Sequence, residues 1–182
     1  MGFAAAFDAA RPVPDAAFAA HSNRVTDLAL RLADAVGAGD DVKRAIEVGG
    51  PLHDIGKLGI PDAILTKPGR LEPEEIAEIR KHPAAGARML GGIESLRHGL
   101  ACVLHHHERW DGTGYPAGLA ASAIPFEARI VAVADAYDAM ISDRPYRSAL
   151  DREEALAEVE RCRGTQFDPR VAGALLELEL AL

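Results

Sequence analysis

Apolar side chains recur every three or four residues along most of this chain, which is the spacing of one face of an α-helix. The recurrence breaks at segments that contain Gly and Pro and then resumes, giving about eight helical stretches. One segment, "ARIVAVA", resembles a strand, but helical spacing continues beyond it through Tyr137 and Ile141. The pattern therefore predicts an all-α fold.

The first helical stretch begins after Asp15, a residue type that often caps a helix, and ends at "GAGD". We interpret residues 1–14 as an N-terminal arm or the stump of a linker, and residues 15–182 as one domain. A length of 182 residues suits one domain and leaves no room for a second catalytic domain.

Net charge, apolar content and cysteine positions exclude some classes of binding partner and cellular setting. The 20 Lys and Arg against 28 Asp and Glu give a formal charge of -8, which argues against a broad basic face that binds a nucleic acid polymer. No apolar run approaches the roughly 20 residues that span a bilayer, and the N-terminus lacks the basic start of a secretory signal. Cys102 and Cys162 lie outside any CxxC pair, and we expect a reduced, cytoplasmic setting.

Ionisable residues occupy positions within the apolar stripes. His21 continues the stripe that contains Val25, and His53 continues the next stripe after Ile46. The other ionisable residues on or beside apolar faces are Asp54, His106, His107, Asp135 and Asp138. The sequence thus points several imidazoles and carboxylates toward the core.

Burying such groups costs several kcal/mol for each that lacks compensation, so they are normally paired or bind a metal. A single histidine is more often a hydrogen-bonded structural residue, but the whole set together favours a metal site. Imidazole and carboxylate without thiolate suit iron, manganese, zinc or nickel, and one carboxylate can bridge two ions. His82 precedes Pro83 at a helix start and is either a further ligand or a simple helix-entry residue.

Two histidines receive no ligand role. Three consecutive helical residues fan over about 200°, so the three histidines of "HHH" cannot all face one site. We therefore interpret His105 as peripheral, and we expect His98 to be exposed to solvent.

A family resemblance rests on six segments in order: "HSNRV", "HDIGKLGIPDAILTKPGRL", "KHPAAGAR", "HHERWDGTGYP", "ARIVAVADAYDAMISDRPYR" and "GTQFDP". On these motifs the chain is identified as a member of the HD-GYP family, a branch of the HD metal-dependent phosphohydrolases. The resemblance runs from about His21 to the last helix. It implies an HD-domain-like bundle of about seven to eight helices, by analogy with the family, with a metal site in its core.

The resemblance also implies roles for individual residues. It makes Asp54 the carboxylate that bridges two metals. The seven metal ligands that it implies are His21, His53, Asp54, His82, His106, His107 and Asp135. Lys57 resembles the family lysine that contacts the scissile phosphate. Family members hydrolyse cyclic di-GMP to linear pGpG, and in some cases on to GMP, and the expected nucleophile is a hydroxide shared by two metals.

One position departs from part of the family. Members with a third metal carry a glutamate one helical turn before the first histidine, and this chain has Ala17 there. The chain resembles the dinuclear members in this respect. Two divalent or mixed-valence transition-metal ions are therefore expected, with iron first and manganese, nickel or zinc as alternatives.

Four other residues are candidate substrate contacts: Arg109, Tyr115, Arg144 and Arg147. Tyr115, in the loop "WDGTGYP", either stacks on a base at the mouth of the site or packs as part of a structural turn. The guanidinium groups of the two later arginines suit phosphate oxygens. For Arg144, a salt bridge to Asp138 or Asp143 is the alternative.

Other functions remain open from the sequence. The domain could act on a different nucleotide, or it could be a catalytically weak module that senses cyclic di-GMP or binds a diguanylate cyclase. Besides cyclic di-GMP, the possible partners are an upstream sensor or receiver domain, a diguanylate cyclase and a second copy of the chain.

Overall fold

The computed structural model describes residues 16–143 and 148–180, with side chains from residue 19 onward. The described residues form nine α-helices: α1 (Ala16–Ala35), α2 (Asp40–Gly49), α3 (Asp62–Leu65), α4 (Pro73–Ile79), α5 (His82–Leu90), α6 (Leu100–His105), α7 (Phe126–Ile141), α8 (Arg152–Arg161) and α9 (Pro169–Leu180). Four short 3-10 segments join them: Gly50–Leu52, Ile55–Gly59, Glu94–Gly99 and Ala121–Ala123. Eight helices exceed one turn, and the only β-pairing in the described ranges is one isolated bridge, so the all-α prediction is confirmed.

The main core lies between α1 and α7, the two longest helices, which pack along each other. Their facing side chains are fully buried and include Val25, Leu32, Ile130 and Val133. Burial of each such side chain stabilises the fold by about 1.5–3 kcal/mol. Helices α8 and α9 pack against α7, while α2 lies against α1. This arrangement brings the inward polar residues of α1 and α7 together.

A second part of the molecule holds the "HD" segment. The 3-10 segment Ile55–Gly59 packs closely on α5, and a small cluster of Ile60, Leu65 and Ile79 lies beside it. Helix α4 begins at a capping box in which Glu72 and Glu75 bond reciprocally to main-chain amides. The packing on α5 places His53 and Asp54 opposite the start of that helix, where His82 lies.

Several helix boundaries differ from the sequence prediction. The second helix ends at Gly49, so His53 follows a 3-10 turn instead of lying on the helix itself. The stretch "ESLRHGLACVLHHH" is divided into a 3-10 segment and α6, which ends at His105. The single turn α3 was not predicted, because it contributes only four residues. Asp15, the expected cap, lies outside the described residues.

None of the described helices is both long enough and apolar enough to cross a membrane.

Candidate metal centre

The side chains of the predicted metal ligands come together at one site in the interior of the domain. Side chains from α1, the Gly50–Gly59 region, the start of α5, the end of α6 and the middle of α7 meet there. Neighbouring imidazole rings lie 4.1 to 5.5 Å apart between centroids. The residues that meet are His21, His53, Asp54, His82, His106, His107 and Asp135.

Asp54 belongs to two groups of potential ligand atoms. One group consists of Asp54 with His21 and His53, and within it the ligand atoms lie within 4.8 Å of one another. The other group consists of Asp54, His82, His106 and His107 under the same limit. Asp135 lies beside the first group, because its Oδ1 is 3.2 Å from Nε2 of His21 and 3.8 Å from Nε2 of His53. A carboxylate that is shared in this way is placed to bridge two ions.

Main-chain carbonyl groups orient three of the imidazoles. Nδ1 of His53 donates to the carbonyl of Gly50 at 2.7 Å, and Nδ1 of His82 donates to the carbonyl of Ile79 at 2.8 Å. Nδ1 of His106 lies 3.0 Å from two carbonyl groups at the end of α6, those of Cys102 and Val103. Each ring therefore directs Nε2 toward Asp54. Burial lowers the pKa of all three imidazoles, so they are neutral near pH 7, the form that binds metals.

The neutral rings place several buried hydrogen-bond acceptors close together, without donors between them among the described residues. With Nδ1 protonated, Nε2 of His82 and Nε2 of His106 face each other across 3.4 Å as two acceptors. Oδ1 of Asp54, a third acceptor, lies 3.1 Å from Nε2 of His82. Nε2 of His53 is fully buried and has no hydrogen-bond partner in the described part of the chain. Buried acceptors without donors are costly, and a cation among them removes that cost. The residues present therefore fit a metal centre.

His21 is held differently, between two carboxylates of α7. Its Nε2 faces Asp135, and its Nδ1 bonds to Oδ2 of Asp138 at 2.7 Å. Burial opposes a charge on this ring, but the hydrogen bonds to the two carboxylates outweigh that effect and raise the pKa of His21 from 6.5 to about 9. A metal that binds at Nε2 must therefore displace a proton.

Lys57 supports Asp54 from the side away from His82. Its Nζ donates to Oδ2 of Asp54 at 2.7 Å, and both side chains are buried. Burial would raise the pKa of the Asp54 carboxyl, yet the charge of Lys57 and the nearby imidazoles hold that pKa well below its ordinary range. The lysine thus lies at the centre, and its contact with the scissile phosphate stays a prediction.

Gly56 allows the "HD" segment to reach α5. A Cβ atom at this position would lie 1.9 Å from the carbonyl oxygen of His82 and 2.6 Å from the amide nitrogen of Gly86. Only glycine permits such an approach of two main chains. The close contact brings Asp54 within reach of His82.

The loop "WDGTGYP" is fastened to the end of α6. Buried Glu108 accepts hydrogen bonds from the amides of Ala117, at 2.7 Å, and Leu119, at 3.0 Å. Gly114 lies so close to the main chain of residues 107–109 that a Cβ would come within 2.3 Å of the amide nitrogen of Arg109. The ring of Tyr115 stacks on that of His107, with centroids 4.8 Å apart. The loop therefore covers one side of the centre.

The predicted substrate residues divide into two sets. Arg109 uses its guanidinium within the loop region, where it bonds to Asp111, Thr113 and Gln166 at 2.8 to 3.3 Å. This network indicates a part in holding the loop, and substrate contact stays a prediction. Arg144 and Arg147 lie outside the described residues.

The two histidines without a ligand role belong to neither group of potential ligand atoms. His105 has its Nδ1 3.5 Å from Oε1 of Glu108, and His98 is exposed. Both placements agree with the sequence interpretation.

Sequence reasoning missed three residues near the centre. Arg24 forms a forked contact with Asp138, with Nε 2.6 Å from Oδ1 and NH2 2.9 Å from Oδ2. The sequence could have indicated that Arg24 lies on the same helix face as His21, since the two are one helical turn apart in "HSNRV". Glu108 had no such signal, because its partners are loop amides. Arg80 lies with its guanidinium carbon 5.1 Å from the centroid of the Tyr115 ring.

The chain is similar in sequence to proteins that are named as cyclic di-GMP phosphodiesterases. It is 44% identical over 164 residues to "Cyclic di-GMP phosphodiesterase response regulator RpfG" of Xanthomonas campestris pv. campestris, covering 89% of this chain and 43% of that protein. It is 47% identical over 161 residues to "Cyclic di-GMP phosphodiesterase" of Thermotoga maritima, covering 87% and 44%. The chain therefore spans less than half the length of these two relatives.

The fold also matches solved structures. The chain superposes on "Bd1817, a HDG"Y"P protein from Bdellovibrio bacteriovorus" with a TM-score of 0.71 and 22% identity, covering 88% of this chain and 52% of that one. At this identity the match shows the fold alone. The family model described as "HD domain" matches residues 14–171. Because this match covers most of the chain, the chain belongs to the HD domain family, which is metal-dependent.

Proposed function

We propose that this domain is a metal-dependent phosphodiesterase that hydrolyses cyclic di-GMP to linear pGpG at a centre of two transition-metal ions. The observation that carries the proposal is the sharing of Asp54 between two groups of buried ligand atoms. Two relatives that are 44% and 47% identical bear the name of a cyclic di-GMP phosphodiesterase, which supports the substrate. Further cleavage to GMP is part of the same proposal.

The ligand sets follow from the two groups. One ion would be held by His21, His53 and Asp135, and the other by His82, His106 and His107, with Asp54 common to both. Iron is the first candidate, and manganese, nickel and zinc suit the same donors. The absence of a glutamate at Ala17 supports two ions over three.

When bound, such ions supply Lewis acidity at a phosphoryl oxygen and an activated water. The protein contributes the rest. Imidazoles fixed by main-chain carbonyl groups keep their Nε2 atoms directed inward without rearrangement during the reaction. Lys57 fixes one oxygen of Asp54 and adds positive charge where the scissile phosphate would gain negative charge. Arg144 and Arg147 would hold the more distant phosphate.

The test removes one ligand at a time. In His53→Ala or Asp54→Ala, we expect loss of bound metal and of turnover with little change in helix content, measured by elemental analysis, product chromatography and circular dichroism. The matched control is His98→Ala, since His98 is an exposed histidine outside the centre. Full hydrolysis in either ligand variant would refute the proposed centre.

The same assay separates an enzyme from a binding module. The purified protein is loaded with iron under anaerobic conditions, or with manganese, and incubated with cyclic di-GMP or another cyclic dinucleotide. An enzyme consumes its substrate and releases the linear product. Binding of cyclic di-GMP without consumption would instead indicate a sensor, and preferred hydrolysis of another nucleotide would correct the substrate.

A further inference from the structure

Asp138 is a buried carboxylate at the centre that the proposed ligand set does not use. It is 4% exposed and lies on α7 one turn after Asp135, so both carboxylates face α1. Oδ2 of Asp138 lies 2.7 Å from Nδ1 of His21. The guanidinium of Arg24 donates to both oxygens of Asp138. The hydroxyl of Ser142 makes a longer contact, 3.4 Å, with Oδ2 of Asp138.

His21 differs from the imidazoles that main-chain carbonyl groups fix. It lies on α1, five positions after the first helical residue, where the carbonyl groups of the preceding turn accept the helical hydrogen bonds. Its Nδ1 therefore needs a side-chain acceptor, and Asp138 provides one. A carboxylate acceptor also makes the opposite ring nitrogen a better electron donor than a carbonyl does.

We propose that Asp138, fixed by Arg24, is a positioning residue that sets the tautomer and orientation of His21 and thereby determines the affinity of one of the two metal positions. The inference rests on the proposed function. Asp138 acts through His21 and is not itself a ligand, because its nearer oxygen faces Nδ1 of His21 while Nε2 faces Asp135.

The geometry makes the expected effect unequal between the two ions. His21 belongs only to the group with His53 and Asp54. The group of Asp54, His82, His106 and His107 contains no atom that Asp138 contacts. Loss of Asp138 should therefore weaken one ion and leave the other in place.

The experiment measures metal content and affinity, with Mn²⁺ as the probe. Wild type, Asp138→Asn, Asp138→Ala and Arg24→Gln are stripped of metal, titrated with Mn²⁺ and analysed for bound ions per chain. We expect two ions in wild type, with about 10- to 100-fold lower affinity for one of them in both Asp138 variants. Arg24→Gln should show a smaller loss at the same position, because the carboxylate remains but is less firmly held.

Asp168→Asn is the matched control. Asp168 is also buried, at 5% exposure, and pairs with an arginine, Arg129, at 2.7 Å. It lies at the start of α9 outside both ligand groups, so its variant should bind two ions with wild-type affinities. If Asp138→Ala fails to fold, Asp138→Asn, which keeps the shape of the side chain, provides the same test.

The outcomes separate this inference from the proposed function. Two ions with unchanged affinities in a folded Asp138 variant would overturn the positioning role while the catalytic proposal stands. Equal weakening of both ions would also overturn it. If wild type and His53→Ala bind the same amount of Mn²⁺, the metal centre itself is wrong, and the positioning role is overturned with it.

Discussion

The ring of Tyr115 stacks on the ring of His107 with an angle of 21° between their planes. The guanidinium carbon of Arg80 lies 5.1 Å from the centroid of the same tyrosine ring. The tyrosine therefore contacts both a proposed metal ligand and a cation of the exposed surface. This contact supports the structural interpretation of the "GYP" turn, and stacking on a base remains a prediction.

Replacement of Tyr115 separates the ring from its hydroxyl group. Tyr115→Phe keeps the stacked ring, so we expect metal content and turnover within about twofold of wild type. Tyr115→Ala removes the ring beside His107 and should lower kcat about tenfold or more, with weaker metal binding. Steady-state kinetics and metal analysis of both variants check this expectation. Equal activity in the two variants would contradict it.

Gly56→Ala tests the close approach of the "HD" segment to α5. A Cβ atom would lie 1.9 Å from a main-chain oxygen, and neither backbone can yield cheaply. We expect the free energy of unfolding to fall by about 1–3 kcal/mol or more, measured by urea denaturation. Gly59→Ala is the control, since a Cβ there has no neighbour within 4 Å, and it should change stability by under about 0.5 kcal/mol.

Lys57→Met tests whether this lysine serves catalysis beyond holding Asp54. The methionine retains most of the buried apolar stem but removes the charge that lies 2.7 Å from the carboxylate. We expect two metal ions to remain bound while kcat falls about 100-fold or more, because charge on the phosphate loses a stabilising cation. Lys67→Met, which breaks a 2.6 Å ion pair with Glu75, should leave kcat unchanged. Loss of metal in Lys57→Met would assign the lysine a purely structural role.

Acid should loosen the loop that contains Asp111. Burial would raise the pKa of this carboxyl, but hydrogen bonds from Arg109 and Thr113 lower it from 3.8 to about 2. A lowered pKa means that the stabilisation is fully present above pH 3.8 and is lost as the pH falls through about 2. The difference in unfolding free energy between wild type and Asp111→Asn, under about 1 kcal/mol, should therefore shrink in that interval. Trp110, the one tryptophan, reports the change by fluorescence. A difference that stays constant down to pH 2 would contradict the assignment.

The inward positions of the proposed ligands could be predicted because helical spacing fixes which residues share a face. His21 and Asp135 lie well inside α1 and α7, where that argument is strongest, and the structure brings them together. His53 and His106 lie just beyond helix ends, at turns that the spacing does not describe. Their orientation depends on carbonyl groups such as that of Gly50, which no side-chain pattern reveals.

Contacts between distant segments could not be predicted from a single sequence. The sequence offered Asp138 or Asp143 as an alternative partner for Arg144, which lies outside the described residues, but it did not indicate that Asp138 contacts His21 and Arg24, more than 110 positions earlier in the chain. The network of Arg109 with Gln166 has the same cause, since it joins the "WDGTGYP" loop to "GTQFDP". The sequence shows that both motifs are present but not that they touch.

Glu108 links the loop that follows it to the proposed ligands His106 and His107. Its carboxylate accepts hydrogen bonds from the amides of Ala117 and Leu119, and its main chain continues directly from His107. The loop and the imidazoles of His106 and His107 are therefore mechanically coupled. A redesign that changes the conformation of this loop will shift those imidazoles unless the anchoring by this glutamate is preserved.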